Sequence, residues 1–304
     1  MTTQGPGVTA TVKRERFRTG LASGQIQRLP GAFSPLAAAA IESHGFEGIY
    51  ISGAALAADL GLPDIGLTSL GEVAERGRQI ARVTDLPALI DADTGFGEPA
   101  NVARTVSLLE DAGLAGCHLE DQVNPKRCGH LDSKAVVSRA EMLRRVRAAV
   151  VARRDSSFVI CARTDARAVE GLDGAIKRAK AYADAGADMI FPEALQDEQE
   201  FAVFRAALDL PLVANMTEFG RSPLLSASAL EDLGYNAVIW PVTLLRAAMG
   251  AAEEVLSTLS DAGTQEAHLP AMQTRARLYD LIRYRSYAAF DEDIANFEIP
   301  GTAE

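Results

Sequence analysis

The sequence predicts an α/β protein folded as a (β/α)₈ TIM-type barrel, and three features carry that prediction. Eight short apolar runs, rich in β-branched residues, recur along the chain. Longer amphipathic stretches of Ala, Leu, Glu and Arg separate them. The runs end in polar or small residues, repeatedly carboxylates. Apolar runs without alternation are the mark of parallel strands buried on both faces. Eight such βα units suit a closed barrel better than an open doubly wound sheet.

The elements follow in order. Residues 1–12 are small and polar and read as a frayed tail. They lack the apolar core of a secretory signal, which points to the cytoplasm. A short basic helix is expected at about 13–22. Strands are expected at 26–33, 48–53, 88–93, 116–121, 158–165, 189–194, 212–216 and 237–242. Helices are expected at 35–43, 70–83, 100–112, 139–153, 172–185, 196–208 and 226–233. Several stop at glycine (Gly45, Gly113, Gly186, Gly234), the usual left-handed cap. From about residue 244 the chain holds more helix than a barrel needs: 244–261, 269–287 and a short piece near Asp291. No stretch reads as a linker, so residues 13–304 form one domain that includes this extension. Its aromatic residues (Tyr279, Tyr284, Tyr287, Phe290) would not be soluble in a free tail. They pack either on their own barrel or on a neighbouring subunit.

Thirty basic residues against 41 acidic ones leave a formal charge of −11 in 304 residues. No global field draws in nucleic acid or an acidic membrane surface. No run of 18 uncharged apolar residues is present to span a bilayer. Three cysteines (Cys117, Cys128, Cys161) cannot all pair, which favours a reducing compartment.

In such a barrel the active site lies at the C-terminal ends of the strands. Asp91 and Asp93, two apart on a strand, share a face, as do His118 and Glu120. Carboxylates without a Cys/His cluster favour a hard cation, Mg²⁺ or Mn²⁺. No phosphate-binding glycine loop appears in strand–helix context. The segment Lys126-Arg127-Cys128-Gly129-His130 sets two cations and a histidine beside one thiol, which favours thiolate and useful titration near neutrality. It lies in a long βα loop, a candidate lid. Arg163, Arg246 and Arg275 could grip a substrate with more than one carboxylate.

The motifs DADTGFG, HLEDQ, KRCGH, ARTDA, FPEA and NMTEFG, in that order, resemble those of the isocitrate lyase/phosphoenolpyruvate mutase superfamily. The resemblance runs from about residue 29 to about 287. KRCGH marks the lyase branch. Isocitrate lyases are much longer and tend to carry KKCGH, so length and motif favour the short lyases that act on 2-methylisocitrate.

The resemblance implies Mg²⁺, with Mn²⁺ possible, at Asp91 and Asp93, and water-mediated contacts from Asp64 and Glu120. It implies that Ser52, Gly53 and Ala54 bind the keto-acid portion. Cys128, Gly129, Arg163, Glu193, Asn215, Met216, Thr217, Arg246 and Arg275 match substrate contacts. Ala54-Ala55 stands where relatives often have glycine, which backbone contacts tolerate if φ stays negative. Phe191 and Ile239 replace a tryptophan and a small polar residue of isocitrate lyases and read as room for a methyl group. Such a group is worth about 1–3 kcal/mol. The resemblance also implies a homotetramer with a C-terminal helix swapped between subunits. The expected reaction is retro-Claisen cleavage to pyruvate and succinate, a step of propionate catabolism in the methylcitrate cycle. Tyr50 would be the base, Arg163 and the metal would stabilise the oxyanion, and Cys128 would be the proton donor, with Glu193 and His130 orienting groups. Alternatives are isocitrate or 2,3-dimethylmalate cleavage, phosphonate chemistry, against which Cys128 argues, and a non-catalytic carboxylate-binding barrel.

Overall fold

The computed structural model describes residues 7–127 and 134–297. It opens with α1 (Ala10–Leu21), β1 (Gln27–Pro30), α2 (Pro35–Ser43), β2 (Ile49–Ile51), α3 (Gly53–Asp59), α4 (Leu70–Ala81) and β3 (Ala88–Asp91). There follow α5 (Pro99–Asp111), β4 (Gly116–Glu120), α6 (Arg139–Ala152), β5 (Val159–Thr164), α7 (Arg167–Asp184), β6 (Met189–Pro192) and α8 (Glu198–Ala206). The chain ends with β7 (Val213–Asn215), α9 (Ala227–Asp232), β8 (Ala237–Trp240), α10 (Thr243–Ala262), a 3₁₀ turn (Glu266–Ala271), α11 (Arg275–Leu281) and α12 (Tyr284–Ala295).

All eight expected runs are strands, and every pairing between these strands is parallel. The ladder runs β2-β3-β4-β5-β6 and β7-β8-β1. Single bridges, Gly31 to Tyr50 and Ile190 to Leu212, join the two arcs into a ring. The residues after the helices, Gly45, Gly113, Gly186 and Gly234, all have positive φ, as left-handed caps require.

Four boundaries differ from the sequence reading. The first helix begins at Ala10, inside the stretch read as tail, with Thr9 as its N-cap. A short helix, α3, follows β2 directly and was not expected. The fifth βα helix starts at Arg167 rather than 172, with a break at Gly171, whose φ of 78° and ψ of 177° are not helical. The helix expected over 269–287 is broken: Pro270 sits in the 3₁₀ turn and Arg283 takes a left-handed φ of 55° between α11 and α12.

The barrel is closed underneath by α1. Phe17 and Leu21 enter the interior cluster with Leu29, Leu89, Val159 and Val213. Lys13 Nζ donates to the carbonyls of Ala81 (2.8 Å) and Thr84 (2.5 Å). Arg14 donates to the carbonyls of Glu110 (2.6 Å) and Leu114 (2.9 Å). The Ala81 and Glu110 oxygens lie in the last turns of α4 and α5, where carbonyls run short of intrahelical partners, and Thr84 and Leu114 lie just beyond. Phe17→Ala is expected to cost about 3 kcal/mol by leaving a cavity at the centre of this seal. Urea unfolding measures it, and a loss under about 1 kcal/mol would show that α1 is not a plug.

The C-terminal extension is different in character. Helices α10, α11 and α12 contain no buried residue, and Leu256, Tyr284, Tyr287 and Phe290 are exposed. Helix α11 touches α2, where Arg277 Nη2 donates to Ser43 Oγ at 2.5 Å. Among the described residues no helix is long and apolar enough to cross a membrane.

Candidate active site

The polar strand ends converge on one cavity of about 520 Å³, open mouth included. Tyr50, Ser52, Ala54, Asp64, Asp91, Glu120, Arg163, Glu193, Asn215, Thr217 and Arg246 all line it, with Lys126, Arg127, Pro241 and Val242.

On the β2–β3 side, Ser52 caps α3, its hydroxyl accepting from Ala55 N–H at 3.3 Å. The Gly53 N–H donates to Asp91 Oδ2 at 3.2 Å. A Cβ on Gly53 would lie 2.9 Å from that oxygen, so glycine permits the approach. Asp91 Oδ1 accepts from Asp93 N–H at 3.0 Å. Asp93 itself has a left-handed φ of 46°. Burial pushes Asp91 up, but His118, Lys126 and Arg163 outweigh it and hold the carboxyl at about 2. Burial and the Asp91 charge instead raise Asp93 to about 6.

Lys126 occupies an unexpected place. Its ammonium contacts Asp64, sits 2.7 Å from Asp93 Oδ1, and is buried. Burial works against its charge, yet Asp91, Asp93, Glu120 and Asp64 keep it protonated. Sequence reasoning assigned Lys126 to tuning Cys128; the structure gives it to the carboxylate cluster.

Tyr50 Oη lies 2.7 Å from His118 Nε2, wholly inside the barrel. Burial lowers His118 to about 4, so the imidazole is neutral at physiological pH. Burial, then Asp91, raises the Tyr50 phenol well above its ordinary value. Sequence reasoning had placed His118 on the face of Glu120 but gave it no role.

Across the cavity, Arg163 Nη1 is 3.2 Å from Glu193 Oε2 and its Nε is 3.4 Å from Glu120 Oε2. Asn215 Nδ2 donates to Glu193 at 3.4 Å. Arg246, in the first turn of α10, donates to Glu218 O at 2.7 Å.

Comparisons with known proteins identify the family. The family model for phosphoenolpyruvate phosphomutase matches residues 17–260. The chain belongs to the phosphoenolpyruvate mutase/isocitrate lyase superfamily. It is 65% identical to a Corynebacterium glutamicum protein described as "Probable 2-methylisocitrate lyase 2", over 95% of this chain and 94% of the other. It is 47% identical to the 2-methylisocitrate lyase of Bacillus subtilis, covering 94% of each chain. The solved structure of phosphonopyruvate hydrolase with oxalate and Mg²⁺ superposes with a TM-score of 0.84 at 30% identity, covering 95% of this chain and 99% of that one.

Within this superfamily frame, three expectations need correction. Met216 does not line the cavity: strand alternation that sends Asn215 and Thr217 inward turns it outward. Its Sδ accepts from Leu225 N–H at 3.1 Å in the outer core. Arg275, at the start of α11, is not at the cavity of its own chain, because α11 lies against α2. Phe191 and Ile239, read as room for a methyl group, are not among the cavity-lining residues; both are buried in the barrel interior, in register with Arg163 and Asn215. The apolar lining is Ala54, Pro241 and Val242. Cys128, Gly129 and His130 lie outside the described residues.

Proposed function

We propose that this chain cleaves 2-methylisocitrate to pyruvate and succinate, using a divalent cation, Mg²⁺ or Mn²⁺, at the Asp91–Asp93 end of the cavity. The observation that carries the reading is the 65% identity to a chain described as a 2-methylisocitrate lyase, across almost the whole length of both.

The residues present fit the cation. Among the described residues no three His, Cys, Asp or Glu side chains form a ready set of direct ligands. Mg²⁺, however, keeps several waters and needs only one or two carboxylates. Asp64, Asp91, Asp93 and Glu120 are crowded together, and Glu120 Oε1 is buried without a hydrogen bond. All these donors are oxygens, which selects a hard ion. Asp91 and Asp93 would hold it, with Asp64 and Glu120 acting through water. When bound, it supplies Lewis-acid polarisation of the substrate hydroxyl and keto-acid oxygens.

The chain's own residues do the rest. Ser52, Gly53 and Ala54 at the start of α3 cradle the incipient pyruvate. Arg163 stabilises negative charge on its oxygen. Tyr50 is held as a phenol, so it can take the hydroxyl proton only while passing its own to His118 Nε2. The carbon–carbon bond then breaks, and the electron pair moves into the succinate side. Asn215, Thr217 and Arg246 hold the carboxylates there. The Cys128 thiol delivers a proton to that carbon, with Glu193 and His130 orienting groups around it.

The assembly is proposed to be a homotetramer with the C-terminal helix exchanged between subunits. Helices α10–α12, which contain no buried residue, support this. So does Arg275, which could reach a cavity only in a neighbouring copy. Buried Cys117 and Cys161 are free thiols, as a cytoplasmic protein would keep them.

Product analysis tests the function. The purified enzyme with Mg²⁺ is expected to give pyruvate plus succinate from 2-methylisocitrate, to do so faster than it cleaves isocitrate or 2,3-dimethylmalate, and to stop on adding EDTA. Glyoxylate from isocitrate as the dominant product would overturn the substrate assignment. Activity that survives EDTA would overturn the metal.

A further inference from the structure

The guanidinium of Arg163 is gripped from behind by a residue outside the cavity. Asp165 accepts from Arg163 Nε at 3.0 Å and from Nη2 at 3.2 Å, two parallel bonds along one edge. The same carboxylate receives Lys134 Nζ at 3.0 Å, in a contact with side-chain exposures of only 1% and 0%. The backbone of Asp165 is pinned as well: its N–H donates to Asp121 Oδ1 at 2.9 Å. Asp121 is held in turn by the hydroxyls of Thr164 and Tyr182, each at 2.8 Å. Phe191 lies under the guanidinium, 5.0 Å from ring centroid to Cζ.

Asp165 is fully buried behind the guanidinium and is not among the cavity-lining residues. Its two-point grip does something a single charge cannot. A bidentate carboxylate fixes the plane of a guanidinium as well as its position. With one edge locked, the Nη1 edge is left facing Glu193 and the cavity. We propose that Asp165, held by Lys134, is a positioning residue that sets the plane in which Arg163 meets the oxygen where negative charge builds. Charge stabilisation of this kind depends on donors being in place beforehand.

The proposal rests on the lyase reading, and the experiment separates the two. Wild type, Asp165→Asn, Lys134→Met and the double variant are assayed on 2-methylisocitrate with Mg²⁺, with melting temperature measured in parallel. The Asp165→Asn variant is expected to lose tenfold or more in kcat, with KM changing by less than threefold. Lys134→Met is expected to lose three- to tenfold. The double variant should be no faster than Asp165→Asn alone, because residues acting as one unit are not additive. A kcat within twofold of wild type in Asp165→Asn overturns the proposal. So does recovery of wild-type kcat in the double variant, which would mean that the pair only balances buried charge. If Asp165→Asn does not fold, Lys134→Met alone decides, and an unchanged kcat there is fatal. If wild type itself does not cleave 2-methylisocitrate, the lyase reading has failed. Calorimetric binding of pyruvate to the Mg²⁺-loaded proteins then tests the pair: tenfold weaker binding in Asp165→Asn supports it, and equal binding overturns it.

Discussion

Replacing Cys128 by serine is expected to leave the protein folded and lower kcat by about a thousandfold. A positioned general acid contributes roughly 10²–10⁴, and an alcohol is a far weaker acid than a thiol near neutrality. Cys128 itself lies outside the described residues; its described flanks are held beside the cavity. Val123 N–H donates to Ala135 O and Val137 N–H to Asp121 O, so an antiparallel pairing brings the two flanks of the Cys128 segment together beside β4. Gln122 locks the near flank, exchanging hydrogen bonds of 2.8 Å with the backbone of Arg127. Steady-state turnover with circular dichroism on the same preparation is the measurement. A rate within tenfold of wild type would assign the proton to another group.

Arg163→Met is expected to remove turnover and to cost about 4 kcal/mol of stability. Its guanidinium lies among Glu120, Asp165 and Glu193, all with side chains at most 1% exposed. Breaking a buried ion pair by deleting one partner costs about 3–5 kcal/mol because the other charge is left uncompensated. The loss has a predictable pH dependence. Burial already raises Glu120 well above its ordinary value, with Arg163 the first charge opposing the rise; without that guanidinium Glu120 binds its proton more readily in the native state than in the unfolded chain. The slope of unfolding free energy with pH follows protons bound unfolded minus native, so it turns negative. The variant therefore loses stability as pH rises through the raised Glu120 value. Urea midpoints at pH 5.5 and 8 check this; a variant less stable at the lower pH would contradict it.

The strands were legible because both of their faces are buried, and their sequence is therefore apolar throughout. The strand-end residues Asp91, Glu120, Arg163 and Asn215 were legible for the complementary reason: charge and amide at the end of such a run have one place to go. The short helix α3 was not, since GAALAAD carries no apolar stripe; Ser52, a good N-cap with its hydroxyl on Ala55 N–H, was the available signal. Lys126 was misassigned because a loop has no periodicity to say which way a side chain turns. Lys134 and Asp165 lie far apart in sequence, and only the fold brings them together behind Arg163. Arg275 could be matched to a family position, but the sequence does not say that α11 lies against α2, away from the cavity of its own chain.

The seal beneath the barrel constrains how the chain can assemble. Helix α1 is synthesised before the strands of the barrel, yet its partners are spread over nearly all that follows. Lys13 needs the carbonyls of Ala81 and Thr84, Arg14 those of Glu110 and Leu114, Arg18 that of Phe158, and the Leu21 carbonyl accepts from Asn236. Phe17 and Leu21 stay wet until strands as late as β7 and β8 have left the ribosome. Contacts of such long range slow folding and leave apolar surface open in the interim. A nascent chain cut short before residue 213 therefore holds a basic, amphipathic helix with nothing to close, and it is in that interval that a chaperone has most to cover.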